Sequence, residues 1–347
     1  MLKKKLWPLS IVIFSVWIPL CAYADSSFVS MEECLQHSLQ TADDEMSVGE
    51  IKQYCLKYFP TENDTNEPSE DISDSIDETE ADTSIIDTRL DEEKITGDAE
   101  YILTPHRANY LIPAAFNSSP NHSVYGGALD KDQLDNVEVK FQLSIKYRVF
   151  DDLFKDNGDF YFAYTSLSYW QAYNMDLSSP FRDTCHEPEL WLQFDTDYEW
   201  LGIKANLFQL GVIHQSNGRS EPLSRSWNRV FANFVFAKNN FIFGIKPWWR
   251  IPENEDEDNN PKIVDYMGHG EIHAAYKWHD HTLTMMLRNN FKDGDENKGA
   301  LQLAWSFPLY KKLKGYFQYF CGYGQTILDY DDAADTVGFG IALSDVI

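Results

Sequence analysis

The stretch GVIHQSNGRSEPLSRSWNRVFANF, residues 211–234, gathers the residue types that acyl transfer requires. A serine hydroxyl is a poor nucleophile until a base takes its proton. A histidine takes it when a third group fixes the ring's tautomer and orientation. His214 and Ser216 supply a base and a nucleophile two residues apart, and Asn228 offers a carboxamide oxygen that can accept the ring N–H. An Asn accepts this bond as an Asp would, with less electrostatic support for the imidazolium that forms. The amide N–H groups of the Asn217-Gly218 turn can stabilise an oxyanion, and Gly218 lets the backbone approach closely. His-x-Ser alone is a weak signal, since such residues are more often ordinary loop polars. The chain has no G-x-S-x-G elbow, which points away from a soluble α/β-hydrolase.

The elements that must position these groups are strands. Residues two apart on a strand share a face, so His214 and Ser216 lie with Phe208, Leu210 and Val212. Asn228 shares parity with Val230, Ala232, Phe234 and Phe236, whereas Arg229 and Asn233 take the other side. If the apolar face meets lipid, an imidazole, a hydroxyl and a carboxamide project outward near the bilayer rim. Polar groups are costly there and tend to mark function. A hydrolase working from that position meets lipid esters.

The rest of the chain supports strands of that kind. In VEVKFQLSIKYRV, every odd position from Val137 to Val149 is apolar and every even position between them is polar. Such strict alternation marks a long strand with one apolar and one polar face. Further strand-like segments fall at 108–117, 160–174, 188–195, 198–216, 227–237, 240–251, 266–278, 281–291, 298–307, 312–325 and 335–347. The count is twelve, even as bacterial barrels require. The fold expected is an all-β, 12-stranded antiparallel transmembrane β-barrel over 99–347. Strand length, aromatic content of 15% and too few inward hydrophobics for a second core argue against a soluble sandwich.

Upstream, MLKKKLWPLSIVIFSVWIPLCAYADSS combines a basic start, an apolar run and Ala22 and Ala24 around Tyr23. Residues 1–24 therefore read as a secretory signal peptide, with the mature chain expected to begin at Asp25 and Cys21 discarded. Residues 25–59 read as a short helical module in which Cys34 and Cys55 can form a disulfide, though spacing alone proves none. Residues 60–98 read as an acidic disordered linker, with sixteen acids between Thr61 and Glu100 against Arg89 and Lys94. This N-terminal segment is expected to be periplasmic. The net charge of -26 excludes nucleic acid as a partner. Cys185 and Cys321 read as unpaired thiols.

The run HQSNGRSEPLSRSWNR resembles the signature of the outer membrane phospholipase A family. SSPFRDTCHEPELWLQF at 178–194, KPWW at 246–249, DYMG at 265–268 and GYGQTILDY at 322–330 extend the likeness across residues 99–347. The resemblance implies calcium-dependent hydrolysis of phospholipid and lysophospholipid acyl esters (phospholipase A1 and A2, lysophospholipase) in the outer membrane, activated by homodimerisation. It assigns His214 as base, Ser216 as nucleophile, Asn228 as orienting residue and the Gly218 amide to the oxyanion site. It implies calcium ligands at the Arg219 carbonyl, the Ser224 hydroxyl and, from a second subunit, Ser178. A further loop carboxylate of the family falls on Asn259, with Asp258 adjacent as an alternative. Arg219, Arg225 and Arg229 read either as contacts to lipid headgroups or as a solvated rim. Trp191, Trp227, Trp248 and Trp249 read as interfacial girdles, and His279 and His281 as a turn pair.

Overall fold

The computed structural model describes residues 85, 86, 89, 90, 93, 102–122, 134–200 and 202–344, with backbone alone at Trp200. The expected signal peptide, the expected 25–59 module with its Cys34–Cys55 pairing, and the last three residues lie outside the described residues. Thirteen strands appear among them. β1 (Thr104–Pro105) is a two-residue bridge onto the third. The other twelve are β2 (Asn109–Asn117), β3 (Val137–Phe150), β4 (Asp159–Trp170), β5 (Phe181–Trp200), β6 (Ile203–Ser216), β7 (Ser226–Lys238), β8 (Phe241–Ile251), β9 (Gly270–Trp278), β10 (His281–Asn289), β11 (Gly299–Tyr310), β12 (Leu313–Tyr323) and β13 (Ala333–Ser344). Each pairs antiparallel with its sequence neighbours, and β13 pairs with β2, so the sheet closes into a 12-stranded barrel without free edges. A short helix, α1 (Ile263–Met267), interrupts the β8–β9 connection.

The alternation in β3 works in the sense a membrane barrel needs. Its polar set turns inward, with Glu138 only 1% exposed, and its apolar set turns outward, with Leu143 55% exposed. Leu111, Leu190, Leu210, Val212, Phe234, Ile245, Leu283, Leu303 and Val337 continue the exposed apolar face around the barrel. A water-soluble sheet buries its apolar face; here lipid takes that role.

The interior is held by charge pairs. Arg182 donates to Glu138 at 2.8 Å and to Asp329 at 2.9 Å. Glu189 receives Arg107 at 2.6 Å and Lys246 at 3.1 Å, and Arg229 reaches Glu187 at 3.1 Å. Removing one member of such a pair strands the other charge, typically at a cost of about 3–5 kcal/mol. The network therefore locks the strands that carry the outer face.

The 188–195 and 198–216 segments divide instead between Trp200 and Ile203, because β5 runs twenty residues and turns at Gly202. Residue 266 belongs to α1, and β9 starts only at Gly270. Trp191, Trp227 and Trp248 are buried within the barrel and form no interfacial girdle. The Arg229 guanidinium lies 4.1 Å from the Trp227 ring centre, which gives these rings a charged interior partner. Trp249, of opposite parity to Trp248, is exposed as expected.

Finally, the acidic segment expected to be a disordered linker contains ordered residues. Residues 85, 86, 89, 90 and 93 are helical. Ile86 and Leu90 pack on Leu207, Val235, Ala237 and Ile242, all on the inward face, while Glu93 accepts from Lys146 of β3 at 2.6 Å. Lys146 and Arg89 hold the Glu93 carboxyl below its ordinary pKa, against the opposing effect of burial, the largest single influence.

Candidate functional site

The β6–β7 register sets His214 opposite Asn228 and Ser216 opposite Ser226. Directly opposed residues in an antiparallel pair point to the same face. His214 Nδ1 and Asn228 Oδ1 lie 2.9 Å apart, a hydrogen bond in which the ring N–H donates to the carboxamide oxygen. That bond commits the ring proton to Nδ1 and leaves Nε2 as the basic nitrogen. Asn228 Nδ2 in turn donates to Glu253 Oε1 at 3.2 Å. Because the amide nitrogen is held by Glu253, the oxygen is turned toward His214. Glu253 was not recognised in the sequence; it lies in the β8–α1 loop, and only its contact with Asn228 marks it.

These groups are on the outer surface. The barrel retains an interior cavity of about 420 Å³ lined by residues such as Glu187, Arg229 and Lys246, and none of His214, Ser216 or Asn228 lines it. His214 is exposed and Ser216 and Asn228 are half-buried. The polar trio thus faces away from the lumen, as its strand parity requires.

The loop after Ser216 is organised by Asn217, which is buried. Its Oδ1 accepts the backbone N–H groups of Arg219 (3.4 Å) and Arg225 (3.0 Å), and its Nδ2 donates to Leu223 O at 2.9 Å. Gly218 follows with φ of +63°, a conformation that favours glycine. The Arg219 guanidinium donates to Phe181 O at 2.6 Å and Arg182 O at 3.0 Å, tying the loop to the start of β5. Arg225 donates to Pro222 O and Ser224 O. Arg219 and Arg225 therefore brace the loop, and the inward, paired Arg229 corrects both surface readings of that residue.

The residues that the resemblance assigned to calcium occupy this rim unevenly. Ser224 Oγ accepts from Asn259 Nδ2 at 2.8 Å, and Asn259 Oδ1 accepts the Ser226 N–H at 3.1 Å. Asp258 instead gives its carboxylate to Arg250 at 2.7 Å and to the Asn260 N–H at 3.0 Å. Ser178 is exposed in the β4–β5 loop, with φ of +59°, three residues before the Phe181 carbonyl that Arg219 grips. Among the described residues, no group of three or more His, Cys, Asp or Glu forms a metal cluster. The donors here are neutral oxygens, a set that suits a hard cation completed by water.

Other expectations are also placed. Cys185 and Cys321 are free thiols. His279 sits at the β9–β10 turn with φ of +52°, and His281 stacks on Trp278 and accepts from Trp305 Nε1 at 3.1 Å, so both serve the turn. On the rim, the Asp329 carboxyl is raised to about 6, chiefly by burial, with Asp183 and Glu138 opposing the relief that Arg182 provides.

The phospholipase A1 family model matches residues 86–343, beginning upstream of residue 99 and at the helical residues that enter the barrel. The phospholipase A1 of Klebsiella pneumoniae is 34% identical over 249 residues, spanning 72% of this chain and 85% of that protein. The phospholipase A1 of Escherichia coli K12 is 34% identical over 252 residues, with 72% and 84% covered. Among solved structures, the outer membrane phospholipase A of E. coli superposes with a TM-score of 0.67 at 33% identity, over 72% of this chain and 95% of that one. A calcium-bound dimer of the Salmonella typhi outer membrane phospholipase gives 0.68 at 32%, over 73% and 97%.

Proposed function

Since the chain belongs to the phospholipase A1 family, we propose that it hydrolyses phospholipid acyl esters in the outer membrane by a Ser216–His214–Asn228 mechanism. The observation that carries this reading is the His214 Nδ1–Asn228 Oδ1 bond on the outward face. Ser216 Oγ attacks the ester carbonyl carbon while His214 Nε2 takes its proton. The carbonyl electron pair moves onto oxygen, where the Gly218 N–H donates. His214 then gives its proton to the departing alcohol. Water, activated by the same ring, releases the fatty acid from Ser216. Asn228 acts through His214, keeping the imidazole in the tautomer that leaves Nε2 free.

The rim fits the divalent ion of the calcium-bound relative. The Arg219 carbonyl and Ser224 hydroxyl would hold it, Asn259 steadies Ser224, and the exposed Ser178 of a second copy would complete the set. When bound, calcium supplies positive charge beside the developing oxyanion. Asp258 is committed to Arg250, which favours Asn259 over Asp258 as the participating loop residue. A homodimer follows the same logic, because the outward site becomes enclosed when a second barrel covers it.

The test is fatty-acid release from phospholipid micelles with and without calcium. S216A and H214A should each lose nearly all release while keeping the heat-modifiable mobility of a folded barrel. Wild-type release by either would end the assignment and favour a barrel without enzymatic activity.

A further inference from the structure

Beside the proposed nucleophile stands a second imidazole. In the β5–β6 ladder His186 is paired directly with Ser216, so its side chain projects to the same outer face. Its Nδ1 lies 2.6 Å from the Tyr164 hydroxyl of β4, and the two rings stack with centres 6.1 Å apart. The opposite, Cδ2–Nε2 edge of the ring stands 3.7–3.8 Å from the position a Gly218 Cβ would take. One histidine edge is therefore anchored on a phenol, and the other faces the residue whose amide serves the oxyanion.

The anchoring favours one placement of the ring proton. A phenol is the natural donor in this pair, and an Nδ1 that accepts its O–H leaves the ring proton on Nε2. His214 has the reverse arrangement, with Nδ1 donating to Asn228. The two rings flanking Ser216 are thus set up for complementary tasks: one presents a basic nitrogen and the other an N–H.

We propose that His186 Nε2–H is a further catalytic hydrogen-bond donor, acting with the Gly218 N–H on the acyl ester oxygen as it becomes an oxyanion, and that Tyr164 is its positioning residue. The inference rests on the Ser216 reading given above. In the step itself, Ser216 Oγ bonds to the carbonyl carbon, His214 Nε2 takes the proton, and the C=O pair becomes the oxyanion lone pair. His186 gives up no proton; the hydrogen bond from its Nε2–H to that oxygen shortens as charge develops, so the stabilisation is greater in the transition state than in the ground state. Gly218 meets this partner without crowding, since even a Cβ there would stand at van der Waals distance from the His186 edge, and its φ of +63° is what favours glycine.

The full chain, purified in detergent with calcium, should be assayed on phosphatidylcholine micelles as wild type, H186F, H186Q, Y164F and S216A. Phe keeps the stack on Tyr164 but has no N–H, and H186F should lose on the order of 10² in kcat with KM within about twofold. Gln places an amide N–H near the Nε2 position and should recover at least about tenfold of that loss. Y164F, which frees the tautomer without removing the donor, should fall only several-fold. Heat-modifiable mobility and cross-linked dimer yield report folding and assembly, and should match wild type throughout. If H186F does not fold, H186L takes its place as the variant without an N–H, with the same loss expected and the same outcomes deciding. The proposal is overturned if H186F keeps kcat within about twofold of wild type, if H186Q is as impaired as H186F, or if the losses lie in KM or dimer yield alone. An inactive S216A together with a wild-type H186F ends this inference and leaves the Ser216 reading standing. An active S216A ends both.

Discussion

Asn228→Ala removes two hydrogen bonds, the His214 Nδ1–Asn228 Oδ1 bond at 2.9 Å and the Asn228 Nδ2–Glu253 Oε1 bond at 3.2 Å; only the first reaches the catalytic ring, and neither touches substrate. A neutral hydrogen bond contributes roughly 0.5–1.5 kcal/mol net, and about 1.4 kcal/mol is tenfold in rate. The expected loss in kcat is therefore about 2- to 13-fold, with KM little changed. That is far smaller than the roughly 10⁴ seen where an orienting carboxylate is replaced by its amide and the tautomer goes wrong. The neighbouring carboxylate sharpens the test. Glu253 Oε1 accepts from Asn228 Nδ2 at 3.2 Å, so N228D sets two carboxylates against each other and should be worse than N228A at neutral pH. The double variant N228D/E253Q restores a donor beside the new carboxylate and should recover activity above N228D. Initial rates of fatty-acid release on phospholipid micelles, at saturating and subsaturating substrate, separate kcat from KM. A wild-type kcat for N228A would show that His214 needs no orienting partner. A loss beyond about 10³ would show that the carboxamide does more than orient, and either result refutes this account.

Chelation of calcium should abolish release while leaving heat-modifiable mobility intact, with calcium restoring it; release that persists in chelator would remove the ion from the mechanism. Asp329 gives a pH signature. Its carboxyl is raised in the folded protein to about 6 from 3.8, so the folded state holds a proton that the unfolded chain has lost. That contribution is complete below the unfolded value and disappears as pH rises through about 6. Melting temperatures in detergent from pH 4 to 8 should thus fall for wild type relative to D329N, levelling above about 7, and parallel curves would count against it. E93Q removes the carboxylate that holds Lys146 at 2.6 Å and should destabilise the barrel by on the order of 3 kcal/mol, whereas deletion of residues 25–77 should leave melting and lipolysis unchanged.

Strand parity is local, and so it was legible. The shared face of His214 and Ser216 and the alternation of Val137 to Val149 follow from a side-chain period of two, and the even strand count from antiparallel closure, which an odd number of strands would break with one parallel pair. That period holds whatever the strand packs against. The same period would have placed Trp227 inward, since it shares parity with Arg229 and not with Asn228. A girdle inferred from aromatic composition takes no account of that parity. Averaging over composition likewise concealed Ile86 and Leu90, an apolar pair four apart within an acidic run, whose inward seat depends on Leu207 and Ala237 far along the chain.

What the sequence by itself determined is the barrel and the shared outward face of His214, Ser216 and Asn228. Tertiary structure alone decided the partners that set direction: Glu253 turning the Asn228 amide, Arg219 clamping its loop to β5, Asp258 drawn to Arg250, and Tyr164 fixing His186 beside Ser216. These are contacts across separate strands or loops, made by register and closure. Hydrogen-bond direction depends on where the second atom stands, and no spacing along a single strand encodes that.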